Sequence, residues 1–178
     1  MGNNGASATY VAAKVKACEE TGFISTLIHF EESITASKLL QKIYELNNDT
    51  GIDGILVQLP LPKHISEEEV INATDPEKDV DGFHPLNVGL LASGKAAFVP
   101  CTPAGIMQLI ALVGRVIEGK HAVVVGASRL VGAPLSMMLA EHGKATVTIC
   151  HKYTQGLSDY TRQADILLVA VGKPGLIT

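Results

Sequence analysis

Tryptophan is absent from the 178 residues, aromatic residues make up 4%, and three cysteines stand far apart at positions 18, 101 and 150. So few and scattered, the cysteines fit neither a disulfide framework nor a thiolate metal cluster, and a reducing compartment is expected. Arginine is missing from residues 1–104, and the whole chain carries a net charge of −4. No basic face built to hold a nucleic-acid backbone is expected from that balance. Long apolar runs are missing too. The stretch Ile166–Val171 is strand-sized, far short of the roughly 20 residues that span hydrocarbon. The opening Met1-Gly2-Asn3-Asn4-Gly5 lacks the basic start and apolar run of a secretion signal and reads as a turn. These absences point to a cytoplasmic protein with no nucleic-acid or membrane partner. Hydrophobic residues at 47% and charged residues at 18% exclude wholesale disorder.

Charge divides unevenly along the chain. Residues 1–104 hold seven lysines against fourteen acids, whereas residues 105–178 hold seven basic groups against four acids. The second part is the better place for a phosphate-bearing partner. Periodicity predicts a helix over Thr9–Glu20 capped by Thr9, a strand over Ile24–Phe30, and a helix over Thr35–Asn47 with Leu39, Leu40, Ile43 and Leu46 on one stripe. Asp53–Pro60 reads as a strand buried on both faces and ended by Pro60 and Pro62. Ser66 with Glu69 predicts a capped short helix through Ile71. Residues 74–103 show little regular pattern. Thr102 and Pro103 then open a helix to about Val113. After it come strand 121–125, helix 131–142, strand 145–149, helix 158–163 and strand 165–171. This β-α-β-α-β order is half of a doubly wound sheet.

The segment Val125-Gly126-Ala127-Ser128-Arg129-Leu130-Val131-Gly132 joins a buried strand to a helix, the context a dinucleotide-binding turn requires. Its spacing lacks the usual middle glycine, and an ordinary β-to-α turn is the alternative. Gly126 suits the tight turn and Gly132 a close approach of helix to sheet. Backbone N–H groups at the helix start favour a phosphate. Lys152 follows the second strand, where an acid would select a bare ribose 2′-hydroxyl. A lysine there, with Arg129, suits a 2′-phosphate and hence NADP over NAD; a solvated surface lysine is the alternative.

In the first part, Tyr10 and Lys14 are four residues apart and share one helix face. Gln58 lies in an otherwise apolar run and therefore needs a hydrogen-bond partner. Asp79, Asp81 and His84 in the loop Lys78–Pro85 only loosely match metal-ligand spacing, and no metal site is expected.

Five blocks, in order along the chain, resemble the bifunctional methylenetetrahydrofolate dehydrogenase/cyclohydrolase family. They are Tyr10-Val-Ala-Ala-Lys14, Asn47-Asn-Asp49 with Asp53–Pro62, Lys78-Asp-Val-Asp81-Gly-Phe-His-Pro-Leu-Asn87, Pro100-Cys-Thr-Pro103 and Gly126-Ala-Ser128 through Pro134. The resemblance implies a two-lobed α/β fold, with an N-terminal α/β catalytic domain over residues 1–104 and a Rossmann-like, doubly wound NADP-binding domain over residues 105–178. It implies oxidation of 5,10-methylenetetrahydrofolate to the methenyl form with NADP, then hydrolysis to 10-formyltetrahydrofolate. Lys14 matches the acid/base lysine, Tyr10 the tyrosine packed on the folate rings, Gln58 the glutamine that orients the lysine, and Asp81 the aspartate that grips the pterin. Gly126, Ala127, Ser128, Arg129, Gly132 and Lys152 fall in the cofactor-binding segment. The family is metal-free and homodimeric. Its usual pattern begins before this point and continues beyond Gly172-x-Pro174-Gly175, so a chain cut at both ends is expected. A monofunctional NAD(P)-dependent dehydrogenase, a non-catalytic folate- or nucleotide-binding fragment, and an unrelated NADP reductase sharing only the turn are the competing readings.

Overall fold

The computed structural model describes residues 5–178, with side chains described from Thr9 onward. The turn expected at Met1–Asn4 lies outside them. The chain forms two compact units, Met1–Lys78 and Asp79–Thr178.

In the first unit, α1 (Gly5–Thr21), α2 (Ala36–Asn48) and α3 (Glu67–Ala73) are the regular elements among the described residues. Helix α1 begins at Gly5, so Thr9 lies within it and is not its cap. The small residues Ala6, Ser7 and Ala8 allow the helix to extend upstream, and adding a turn to an existing helix is cheaper than starting one. Gly22 ends it at φ +80°. Phe23 N–H then reaches back to the Cys18 carbonyl at 2.9 Å, a six-to-one closure that satisfies a terminal acceptor.

Helix α2 starts as its sequence requires, with the Thr35 hydroxyl accepting from Lys38 N–H at 3.3 Å. Its buried stripe, Leu39 and Ile43, packs with Ile34, Ile65 and Val70 to form the unit's core. Helix α3 is capped by Ser66, whose hydroxyl accepts from Glu69 N–H at 3.2 Å.

Neither strand expected in this unit forms. Residues 24–30 pair with no strand among the described residues, and Ile24 is fully exposed. Residues 53–60 likewise form no strand. Ile55 is buried, but Leu56 is exposed and Val57 only half-buried. Apolar composition supplies the tendency to extend, whereas a strand also needs a neighbour for its backbone. Here Ile55 N–H finds one, the Lys78 carbonyl at 2.7 Å.

The second unit contains α4 (Pro85–Ala92), α5 (Cys101–Leu112), β1 (His121–Val125), α6 (Gly132–Glu141), β2 (Thr146–Cys150), α7 (Leu157–Thr161) and β3 (Ile166–Val169). The strands are parallel in the order β2-β1-β3, with Val123 opposite Thr148 and Leu167. Ala122, Val123 and Val124 of the central strand are completely buried. Ala122 and Val124 pack against Leu135 and Leu139 of α6 on one face. Val123 and Val125 pack with Cys150, Leu157 and Leu176 on the other. This is the covered, doubly wound α/β arrangement that its apolar strands require.

Two sequence expectations are corrected here. Residues 74–103 contain a helix, α4, capped by the His84 ring and begun by Pro85. Helix α5 starts at Cys101, with Pro100 in the cap position and no side-chain cap bond, so Thr102 and Pro103 already belong to its first turn. Among the described residues, no helix is long and apolar enough to cross a membrane.

Cys150 is 1% exposed, and burial pushes its thiol upward from the ordinary range, whereas Cys101 lies exposed. A maleimide at neutral pH is therefore expected to label Cys101 in the native state and to leave Cys150 unmodified until denaturant is added. Equal labelling rates, read by mass spectrometry of the two peptides, would contradict this packing.

Candidate functional site

Lys14 sits one helical turn after Tyr10 on α1, the lysine half-buried and the tyrosine exposed. Its ammonium nitrogen donates to Gln58 Oε1 at 3.3 Å. The other end of that amide is committed, because Gln58 Nε2 donates to the Leu59 carbonyl at 2.9 Å. With the NH₂ group held by backbone, the carbonyl oxygen is left to face Lys14. A flipped amide would set donor against donor and lose both bonds. The structure thus brings together two of the residues read as catalytic, Lys14 and Gln58, with Tyr10 on the same helix face as Lys14. Asp81 lies half-buried in the second unit, in the loop between Asp79 and His84.

A second lysine of the same sequence blocks has a different fate. Lys78 Nζ donates to the carbonyls of Leu46, Asn47 and Asp49 at 3.1, 2.8 and 2.8 Å. A cation there satisfies the carbonyls at the end of α2 and complements the negative end of its dipole. Asn47 bridges the same region, donating to the Ala73 carbonyl at 2.7 Å and accepting from Asp75 N–H at 2.9 Å. Spacing alone gave no hint of these structural roles, since the partners come from distant segments.

In the second unit, the turn after β1 is shaped by two glycines. Gly126 has φ +113°, and a Cβ on it would lie 2.5 Å from the Ala170 carbonyl oxygen. A Cβ on Gly132 would collide with the Gly126 carbonyl oxygen. The start of α6 therefore rides directly on the turn that precedes it. Ser128 Oγ accepts from Val131 N–H at 3.2 Å, which leaves the hydroxyl proton for an acceptor outside the turn. Ala127, Ser128 and Arg129 are exposed.

With the order β2-β1-β3, the chain goes to one side of β1 and then to the other, so the switch point lies between β1 and β3. The Gly126–Gly132 turn stands at the carboxyl ends of those strands, where open parallel sheets bind ligands. The exposed Ala127, Ser128 and Arg129 lie where a dinucleotide pyrophosphate would sit in such a sheet, while at the helix start Ala133 N–H is taken by the Ser128 carbonyl and Pro134 has no N–H to offer. Lys152 follows β2, exposed, with its ammonium 4.9 Å from the centre of the Tyr153 ring.

Among the described residues, no three His, Cys, Asp or Glu side chains converge as metal ligands.

Comparison with known proteins follows the same two parts. The family model for the tetrahydrofolate dehydrogenase/cyclohydrolase catalytic domain matches residues 1–81, and that for the NAD(P)-binding domain of the same family matches residues 100–178. The bifunctional protein FolD of Staphylococcus carnosus is 50% identical over 178 residues, covering 100% of this chain and 62% of its own length. A crystal structure of the bifunctional FolD dehydrogenase/cyclohydrolase of Campylobacter jejuni superposes with a TM-score of 0.94 at 50% identity, over 99% of this chain and 62% of that one. The Trypanosoma brucei dehydrogenase-cyclohydrolase, solved with NADP and an inhibitor, gives a TM-score of 0.93 at 37% identity, over 99% of this chain and 60% of that one. The chain thus spans about three fifths of the length of these relatives.

Gly132→Ala is expected to destabilise the second unit by roughly 1–3 kcal/mol or more, since backbone must move to admit the methyl group. Chemical denaturation of the variant checks it, and an unchanged midpoint would show that helix and turn are less closely packed than described.

Proposed function

The chain belongs to the tetrahydrofolate dehydrogenase/cyclohydrolase family, and from that premise we propose that the full-length gene product is an NADP-dependent methylenetetrahydrofolate dehydrogenase and methenyltetrahydrofolate cyclohydrolase. The observation that carries this reading is the Lys14–Gln58 hydrogen bond, which ties the helix bearing Tyr10 and Lys14 to the segment bearing Gln58. We assign residues 1–104 to folate handling and residues 105–178 to the nucleotide.

In the first reaction, the carbon bridging N5 and N10 of 5,10-methylenetetrahydrofolate gives up a hydride and becomes the methenyl cation. NADP, when bound, supplies the hydride acceptor. No protein acid or base is needed at the migrating hydrogen, so the chain's task is alignment. Tyr10 offers an exposed ring against which the folate ring system stacks, and Asp81 accepts hydrogen bonds from the pterin. The Gly126–Gly132 turn with Ser128 holds the pyrophosphate, and Arg129 and Lys152 meet the 2′-phosphate.

In the second reaction, water adds to the cationic methenyl carbon, its surplus proton leaves, and the bond from that carbon to N5 breaks to yield 10-formyltetrahydrofolate. A proton has to travel between oxygen and nitrogen. Lys14 Nζ is the group placed to carry it. Gln58 keeps that nitrogen in one position through an acceptor whose own orientation is locked by the Leu59 carbonyl. A cytoplasmic homodimer is the assembly we assign, in keeping with the family resemblance and with three cysteines that are all unpaired.

The two reactions are separable by experiment. In the full-length gene product, Lys14→Met is expected to abolish methenyl hydrolysis and to leave hydride transfer the less impaired, when methenyl disappearance and NADPH appearance are followed independently. Hydrolysis at the parent rate would remove Lys14 from the mechanism, whereas a parent that does not accelerate methenyl hydrolysis at all would favour a monofunctional dehydrogenase. Cofactor choice is tested by titrating NADP and NAD. A charge-assisted contact of about 1.5–3 kcal/mol predicts that Lys152→Ala weakens NADP binding and leaves NAD binding little changed. An unaltered NADP preference would count against Lys152.

A further inference from the structure

Asp79 is 6% exposed and has no part in the chemistry above, yet its carboxyl group governs the loop that carries Asp81. Its Oδ2 accepts from His84 N–H at 2.8 Å and from Asn87 Nδ2 at 2.9 Å. Its backbone carbonyl accepts from Gly82 N–H at 3.1 Å. The loop is therefore closed twice by one residue, by backbone just after Asp81 and by side chain at His84. Gly82 makes the bend at φ +67°, and a Cβ on it would sit 3.1 Å from the Phe98 carbonyl oxygen, so the loop is backed against residues 98–100. His84 passes the constraint on, because its Nδ1 accepts from Leu86 N–H at 3.1 Å to cap α4. Asn87, 3% exposed on α4, completes the tie from the helix side.

A buried carboxyl group with two donors on one oxygen has little freedom to move, and the backbone of Asp81 inherits that rigidity. We propose that Asp79 is a positioning residue for folate recognition, acting through Asp81 and touching neither substrate nor cofactor. This inference rests on the proposed function, which gives Asp81 the pterin.

The alternative is that Asp79 merely stabilises α4, and the two are told apart by which kinetic constant moves. A stability defect lowers the active fraction, hence apparent kcat, and leaves KM alone, whereas a displaced Asp81 raises KM for the folate. In the full-length gene product, Asp79→Ala is expected to raise KM for methylenetetrahydrofolate roughly tenfold. Asp79→Asn, which keeps a carbonyl acceptor, should raise it only about threefold. NADP affinity, measured by calorimetry, should stay within about twofold of the parent in both, because the Gly126–Gly132 turn does not involve this loop. Combined with Asp81→Ala, either substitution should add almost nothing further to KM, the signature of two residues acting as one. Should Asp79→Ala fail to bind NADP, Asp79→Asn carries the same cycle.

An unchanged folate KM, or KM effects that multiply in the double variant, would overturn the proposal. A parent protein that binds NADP and turns over no folate would overturn the functional reading itself, an outcome read before any variant is compared.

Discussion

Strand β1 has no face toward solvent, and the second unit is organised around that fact. Ala122, Val123 and Val124 are completely buried between α6 on one side and the layer containing Leu157 and Leu176 on the other. A parallel strand in this position must be linked to its neighbours by crossovers that cover the sheet. Alternate crossovers to β2 and β3 create a switch point at the carboxyl ends of β1 and β3. There the chain turns directly from strand to helix, and the helix start presses so closely on the turn that Gly132 can carry no side chain.

The first unit makes its point through a contrast between two lysines. Lys78 is surrounded by three carbonyl acceptors within 3.1 Å and is spent on ending α2. Among the described residues Lys14 has one side-chain acceptor at 3.3 Å, an amide whose other end is anchored to backbone. A cation bound three times is an anchor. One held by a single side-chain acceptor among the described residues, at the long end of hydrogen-bonding distance, leaves the remaining N–H groups of its nitrogen for a ligand. The proposed chemistry needs the second kind.

Much of this was legible in the sequence where local rules act alone. The uninterrupted apolar run 122–125, Gly126 and the helix that follows appear where the pattern placed them, and Ser66 caps its helix through the expected hydroxyl. Gln58 announced itself as a polar group in an apolar run that had to be satisfied. What could not be read was whatever depends on partners distant in sequence. Residues 24–30 and 53–60 have the composition of strands but gain no ladder among the described residues. Lys78 and Asn47 looked like motif members, whereas their side chains knit α2 to the segment 73–78. Helix α4 was missed because its cap is a histidine ring, outside the usual Ser, Thr, Asp and Asn signal, although Pro85 at its first position was a usable clue.

The central claim is that Lys14, held by Gln58, is the group that meets the reacting carbon of the folate. A crystal structure of the full-length gene product with NADP and a folate analogue tests this most directly. The account predicts the analogue's N5–N10 region within hydrogen-bonding reach of Lys14 Nζ, directly or through one water, with Gln58 Oε1 still accepting from that nitrogen. A folate ring bound away from Lys14, or a Lys14 side chain turned to solvent with ligand in place, would contradict it.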